Sequence, residues 1–303
     1  MSGSIFGRPY RERMKRITVA GETFGASSIR MSKQGHVFRI AVKADGADHK
    51  GGGGRGKVVG FSKGSRRRLI EKMARLEVPE NGSAQFITLT YHNDFPDCDG
   101  ARANWRAFSE RLRRRWASSS GVWRMELQKR GAPHFHIVAF GLPEALPQSW
   151  VLDQWRAVTG DDTITEVSVK PLDGWKAILG YVSKYVAKVS DSVYSESPDS
   201  LESLDGAGLD HVTYPHASFE TVGRVWGVYN SPCLPWAALE VFEWSVMGWL
   251  SKLKRAVNGF LRAKRRAIGK KRGWSVQPGT STGFLLLSDN PSAWFDLALS
   301  LSL

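Results

Sequence analysis

Two β-rich runs separated by a short turn constrain the fold of this sequence more than any other feature. Residues 122–128 (VWRMELQ) and 134–140 (HFHIVAF) are rich in β-branched and aromatic residues. The five residues between them, KRGAP, contain a glycine and a proline, which favour a turn over a continued strand. The pattern predicts an antiparallel β-hairpin, which needs further strands or helices to cover its apolar face.

Helical and strand patterns alternate on both sides of this hairpin. Apolar residues recur at helical spacing near 62–76, 105–116, 150–158 and 173–186, and further β-rich runs occupy 85–91 and 164–170. The order is helix, strand, helix, hairpin, helix, strand, helix. It predicts an α+β fold, with a central antiparallel sheet and helices packed on one side of it.

Charge and composition narrow the class of protein. The chain has 303 residues and a net charge of +14, which indicates an acidic partner, most simply a nucleic acid. A hydrophobic content of 42% excludes a wholly disordered chain, and two cysteines exclude a disulfide scaffold and suit a reducing compartment. No uncharged apolar run reaches membrane-spanning length, so we expect no membrane partner.

The chain divides into three regions by composition. Residues 1–60 form a predicted N-terminal extension with a strand over 36–44 and a Gly-rich loop, and 61–230 form the central α+β domain. Residues 231–303 form a helical basic segment, in which Leu253, Val257 and Leu261 recur at helical spacing. An acidic stretch at 190–220 without Lys or Arg predicts a mobile insert in the central domain. The Gly-rich loop ends in Gly-Lys-Val, so it lacks the hydroxyl of a phosphate-binding loop and predicts no ATPase motor.

His134 and His136 are the first candidates for chemistry. Residues two apart in a strand point to the same face of the sheet, so both imidazoles can bind one metal ion. The other interpretation is a pair of half-buried histidines with no metal.

Glu126 is the candidate third ligand. If Gln128 lies opposite His134 across the hairpin, Glu126 lies on the histidine face, and two imidazoles with one carboxylate suit a divalent ion. A register slip of one residue would move Glu126 to the other face. An ion pair with Arg124 or Arg130 is the other interpretation of this carboxylate.

The segment YVSKYVAK (181–188) carries a second chemical pattern. Tyr181 and Tyr185 are four apart and share a helical face, and each is followed three residues later by a lysine, Lys184 or Lys188. A phenol is a poor nucleophile at its ordinary pKa near 10, and a nearby cation together with a metal-polarised phosphate assists its attack. The other interpretation is two aromatic side chains lying at a helix surface.

Two basic clusters are candidates for DNA binding. Each can neutralise several phosphates, which would make binding strongly salt-dependent. The predicted residues are Arg111, Arg113, Arg114 and Arg115 in the first cluster and Lys252, Lys254, Arg255, Arg262, Lys264, Arg265 and Arg266 in the second.

Three motifs occur together in a fixed order: FITLTY (86–91), PHFHIV (133–138) and YVSKYVAK (181–188). This combination resembles the rolling-circle replication initiators of the HUH endonuclease superfamily, whose core is an RRM-like sheet. The two-tyrosine form is most similar to the initiators of filamentous phages and microviruses. The runs SRRRL (65–69) and GRVWG (223–227) also resemble that family, so the likeness covers about residues 60–230.

The resemblance implies a reaction. His134, His136 and Glu126 would bind Mg²⁺ or Mn²⁺ beside the scissile phosphate of an origin. Tyr181 or Tyr185 would attack phosphorus, leaving a 5′-phosphotyrosine link and a free 3′-OH that primes synthesis. Which tyrosine acts first, or whether both act, stays open.

The resemblance also implies partners. They would be single-stranded or hairpin origin DNA, a separate helicase and the replication machinery in the cytoplasm of a bacterial host. A plasmid mobilisation relaxase or a single-strand transposase of the same superfamily is an alternative. A non-catalytic nucleic-acid-binding domain is another, and it would form no covalent adduct.

Overall fold

A computed structural model shows two β-sheets, each with helices packed on it, and confirms the predicted α+β class. It describes residues 14–18, 27–44, 63–77, 84–128, 130–172, 193–195, 223–244, 248–267, 269 and 283–302. No helix within these ranges is both long and apolar enough to cross a bilayer.

A five-stranded antiparallel sheet contains the predicted hairpin, which is thereby confirmed. Its strand order is β7-β4-β6-β5-β9, so that β6 lies at the centre between β4 and β5. The strands are β4 (Ala84–Thr90), β5 (Ser120–Leu127), β6 (Pro133–Phe140), β7 (Ser168–Leu172) and β9 (Trp226–Tyr229).

Helices α2 (Cys98–Arg115) and α3 (Gln148–Thr159) pack on one face of this sheet. The Asp97 carboxylate accepts a hydrogen bond from the Gly100 amide at 2.8 Å and begins α2. Aromatic side chains fill the interface: Trp155 and Phe135 are fully buried, and Phe135 lies 5.9 Å from Trp105 between ring centroids. Periodic apolar residues therefore form these helices and also bury them.

Helix α1 (Lys63–Ala74) packs on the opposite face of the sheet. Helices therefore cover both faces, whereas the sequence predicts helices on one face only. Its Met73 belongs to an apolar cluster with Val122, Val138 and Phe140. Strand β6 is apolar on both faces in its last four residues, and a surface of this kind requires a second covering layer. The first half of β6 is polar on the α1 face.

The second sheet has six strands in the order β1-β10-β2-β3-β11-β8, and helices α4 (Leu250–Ala267) and α5 (Pro291–Ser302) contribute to its core. The pairing of β1 with β10 is parallel and the others are antiparallel. The strands are β1 (Met14–Thr18), β2 (Ser27–Gln34), β3 (Val37–Ala44), β8 (Val193–Ser195), β10 (Leu239–Trp244) and β11 (Phe284–Leu287).

This second sheet draws strands from the predicted extension, from the acidic stretch and from the C-terminal segment. The sequence predicts only β3 among them, as a strand over 36–44, and it predicts α4 through its apolar spacing. The end of α1 also contacts the second sheet, because the Ala74 carbonyl accepts from the His36 amide in the β2–β3 turn and the Arg75 carbonyl accepts from the Ala237 amide just before β10.

Candidate metal and nucleic-acid site

The polar half of the α1 face of the five-stranded sheet brings the candidate metal ligands together. Alternate residues of its three central strands point there. Thr90 and Glu126 pair with His134 from the two sides, and Thr88 and Arg124 pair with His136.

The hairpin register differs from the predicted one by two residues. Glu126, not Gln128, lies opposite His134. The backbone N–H of Gln128 donates to the Ala132 carbonyl at 2.9 Å, and Gly131 adopts a left-handed φ of 87° that closes the turn. A shift of two residues leaves each side chain on the same face, so Glu126 still lies beside the histidines.

The two imidazoles lie next to each other, with ring centroids 4.5 Å apart and ring planes inclined by 82°. The Thr90 hydroxyl is 2.7 Å from Nδ1 of His134 and orients that ring, while His136 stacks on Phe86 at 5.6 Å. Burial, followed by the neighbouring His136, lowers the pKa of His134 to about 4. His134 is therefore neutral near pH 7, which is the form that binds a metal.

Glu126 combines both interpretations of its sequence position. Its Oε2 lies 3.3 Å from Nε2 of His136, and its Oε1 lies 2.9 Å from the Arg124 guanidinium. The side chains of Glu126 and Arg124 are 17% and 12% exposed, so water screens this pair little. Arg124 is a site residue that sequence reasoning treated only as an ion-pair partner, although its position two residues before Glu126 places it on the same face.

Of the three candidate ligands, Glu126 and His136 are already spaced as two ligands of one divalent ion would be. Two ligands about 2.1 Å from one ion at roughly right angles lie about 3 Å apart, close to the 3.3 Å between Glu126 and His136. Within the described ranges, no three His, Cys, Asp or Glu side chains already converge on one point. A metal would therefore require the His134 ring or the Glu126 carboxylate to adjust within this face.

Comparison with known proteins places this chain in a family. Residues 84–190 match the family of the replication-associated protein ORF2. The chain is 30% identical over 229 residues to a replication-associated protein of Pseudomonas phage Pf3, covering 72% of this chain and 73% of that protein. The chain belongs to this family of replication-associated proteins.

A second relative carries a similar name. The protein "Putative replication protein PDa0002" of Xylella fastidiosa is 27% identical over 179 residues, which cover 57% of this chain and 61% of that protein. No solved structure matches the chain. The range matched to the replication-associated family includes the hairpin and continues through residues 181–188.

The predicted nucleophiles and their lysines, Tyr181, Tyr185, Lys184 and Lys188, lie outside the described residues. Two other tyrosines can be compared with them. Tyr91 is 2% exposed and burial raises its pKa to about 12, and burial also raises the pKa of Tyr229, which is 7% exposed. Both belong to the aromatic core on the α2 and α3 face, so neither is placed to attack a phosphate beside the histidines.

The first basic cluster divides at α2. Arg113, Arg114 and Arg115 are exposed at the end of the helix. Arg111 instead donates to Oε1 of Gln154 at 2.8 Å and so connects α2 with α3.

The second basic cluster lies on α4. Lys252, Arg255, Arg262 and Arg266 are exposed, and Lys264 and Arg265 are half-buried. Lys254 differs from the other six, because it is 1% exposed and burial lowers its pKa to about 8. Its burial separates it from the exposed cations of α4, so as placed here it does not present its charge to a phosphate.

Proposed function

We propose that this protein nicks and rejoins one strand of DNA at a replication origin and thereby starts rolling-circle replication. The observation that supports this most is the cluster of His134, His136 and Glu126 on one face of the sheet, in a chain of a replication-associated family. Partly exposed imidazoles and a carboxylate, gathered in the polar half of a face whose other half is apolar, indicate a site that serves chemistry and not packing.

The proposed reaction uses a tyrosine hydroxyl as nucleophile. His134, His136 and Glu126 would hold Mg²⁺ or Mn²⁺, which supplies positive charge beside the scissile phosphate. The oxygen of Tyr181 or Tyr185 bonds to phosphorus while the bond to the 3′ oxygen breaks. The phenol proton passes to solvent, and the departing 3′ oxygen takes up a proton. The 5′-phosphotyrosine stores the bond, and a 3′-OH attacking it restores the strand.

Lys184 and Lys188 assist by their charge in this proposal. Each follows a tyrosine by three residues, so on a helix its ammonium lies near the phenol and favours the phenolate. The same ammonium can contact a phosphate oxygen of the strand.

Arg124 acts through Glu126. Its guanidinium holds Oε1 at 2.9 Å, which leaves Oε2 directed at Nε2 of His136. A carboxylate fixed in this way by a second residue binds a metal more tightly, because less freedom is lost on binding. We therefore assign Arg124 as a positioning residue.

The exposed cations supply contacts to DNA phosphates. Arg113, Arg114 and Arg115 on α2, and Lys252, Arg255, Arg262 and Arg266 on α4, suit the duplex or hairpin that flanks the cut, and the half-buried Lys264 and Arg265 add to the same charge. Since the Gly-rich loop lacks the hydroxyl of a phosphate-binding loop, a separate helicase would unwind the duplex, with host enzymes extending the 3′-OH in the bacterial cytoplasm.

The test is the capture of the covalent intermediate. Labelled single-stranded oligonucleotides that tile the replicon carrying this gene are mixed with the protein and Mn²⁺ and separated on a denaturing gel. We expect one oligonucleotide to give a protein-linked band that carries the 5′ end of the downstream fragment. The band disappears in EDTA, in His136→Ala and in the double variant Tyr181→Phe/Tyr185→Phe.

Each control addresses one part of the proposal. Cleavage that persists in the double variant removes tyrosine from the reaction, and cleavage in EDTA removes the metal. DNA binding without any adduct supports a non-catalytic binding domain instead. An adduct with mobilisation or transposon-end sequences, and none with origin sequences, supports a relaxase or a transposase.

A further inference from the structure

Phe95 is the one large hydrophobic side chain in the described ranges that is exposed, at 39%. It lies in the loop between β4 and α2, five residues after Thr90, whose hydroxyl contacts His134. A single exposed ring is not unusual on a protein surface, and what makes Phe95 a candidate for binding is its connection to the proposed site.

Arg130 holds this loop in place from the hairpin turn. Its guanidinium donates to the backbone carbonyls of Tyr91 and His92 and lies 5.5 Å from the centroid of the Phe95 ring. A guanidinium at this distance interacts favourably with the π-electrons of the ring. The exposed ring therefore contacts a side chain that is itself hydrogen-bonded to the backbone of the same loop.

The same arginine connects Phe95 to the histidines. Nε of Arg130 donates to Oε1 of Gln128 at 3.0 Å, and the amide of Gln128 lies 3.5 Å from Nδ1 of His134. A short series of side-chain contacts thus leads from the exposed ring to the candidate metal site.

Three carboxylates lie within four residues of Phe95, and the exposed Asp94, directly before it, would repel a phosphate placed there. Asp97 caps α2 through the Gly100 amide, and Asp99 pairs with Arg102. Their charges are thus offset locally, the first by the positive end of the helix and the second by a guanidinium. Stacking on an aromatic ring uses the face of a base and requires no phosphate at that point.

We propose that Phe95 and Arg130 form a platform on which a base of single-stranded DNA stacks next to the scissile phosphate. The platform rests on the proposed function, since it assumes a single-stranded DNA substrate. Arg130 adds positive charge at its edge, where it faces the sugar-phosphate backbone of the bound strand. Stacking of this kind tolerates any base and therefore orders the strand without choosing its sequence.

The test separates base stacking from phosphate attraction. Two fluorescent single strands of about 16 residues are used, one of thymidine and one in which abasic spacers replace every nucleoside, so that both carry the same number of phosphates. Affinities are measured by anisotropy in EDTA, where no cleavage occurs. We expect Phe95→Leu to weaken thymidine binding about 5- to 10-fold and to leave abasic binding unchanged, while Phe95→Trp retains both affinities.

The matched control is Phe260→Leu in α4, where Lys264 lies 6.0 Å from the ring centroid. Any effect of this change is expected to be equal on both strands, because Lys264 acts on phosphates. Equal losses on both strands for Phe95→Leu, or no loss on either, would overturn the platform. This binding measurement does not depend on nicking, because EDTA removes any metal-dependent cleavage. If the protein forms no adduct, the proposed function fails and the platform can still be tested. If it forms the adduct and Phe95→Leu binds both strands normally, only the platform is overturned.

Discussion

The two faces of the five-stranded sheet use the same strands for different purposes. On the face covered by α2 and α3, Phe135 and Ile137 are fully buried in a continuous aromatic and aliphatic core. On the other face, His134 and His136 stay partly exposed. Residues that are neighbours in β6 therefore lie in the core or at the proposed site according to their parity along the strand.

This comparison shows why the site can be polar without weakening the fold. The core of one face already provides the burial that holds the sheet together, and α1 covers the remaining apolar half of the other face through Val138 and Phe140. The polar half is then free to hold groups whose burial would otherwise cost stability.

The largest expected effect separates the two faces at adjacent positions. Phe135→Ala should lower the free energy of unfolding by about 3 to 5 kcal/mol, because it empties a fully buried site beside Trp105. His136→Ala should lower it by less than about 1 kcal/mol and abolish adduct formation. Urea unfolding followed by tryptophan fluorescence measures the free energy of unfolding of both variants, and the denaturing gel measures adduct formation. Equal destabilisation by the two changes would mean that the faces do not divide the work in this way.

The next effect concerns the charge pair on the polar face. Arg124→Gln should weaken Mn²⁺ binding about 10- to 100-fold, because Glu126 loses the group that orients it. Isothermal titration calorimetry gives the affinity, and Arg102→Gln, which breaks the exposed pair with Asp99 on α2, serves as the control. Tighter binding by Arg124→Gln would show instead that the arginine competes with the ion for the carboxylate.

The apolar face should respond to alkali through Tyr91, whose hydroxyl accepts from Asn104 at 3.0 Å. Burial raises the pKa of Tyr91 to about 12, and the unfolded chain releases this proton near pH 10. Between these values the folded state binds more protons, so the free energy of unfolding falls as the pH rises, by about 1 to 2 kcal/mol. Tyr91→Phe should remove this part of the pH dependence. An unchanged alkaline slope in that variant contradicts the assignment.

The smallest effect is on the hydrogen bond that orients His134. Thr90→Val should reduce Mn²⁺ affinity about 2- to 10-fold, since Nδ1 loses its 2.7 Å partner. Thr90→Ser keeps the hydroxyl and should retain the affinity of the unmodified protein. If the Thr90→Val and Thr90→Ser variants bind Mn²⁺ equally well, the Thr90 hydroxyl has no role in metal binding.

Sequence reasoning recovered the five-stranded sheet well because its elements from β4 to β7 follow one another closely in the chain. Strands β5 and β6 are joined by a turn of a few residues, and the periodicities of α2 and α3 are regular. The second sheet escaped it, because β1 pairs with β10 across more than two hundred residues. Local propensity carries no signal for such a pairing.

The candidate site was predicted in part for a related reason. The histidines share a face whatever the register, whereas the position of Glu126 required the conformation of the turn, including the left-handed Gly131. The role of Arg124 depends on a 2.9 Å contact that no spacing rule specifies. In the sequence, Lys254 is indistinguishable from the other cations of the basic run. Only its burial in the folded chain distinguishes it from them.

Alternation along β6 was enough to place His134 and His136 together, since side chains two residues apart in a strand must point the same way. What surrounds those imidazoles depended on folding. The pairing of β4 and β5 with β6 placed Thr90, Glu126 and Arg124 around the two rings, and α1 packed on Val138 and Phe140 of the same face. Contacts between strands arise from the register of separate segments, and that register is a property of the packed chain and not of any one segment.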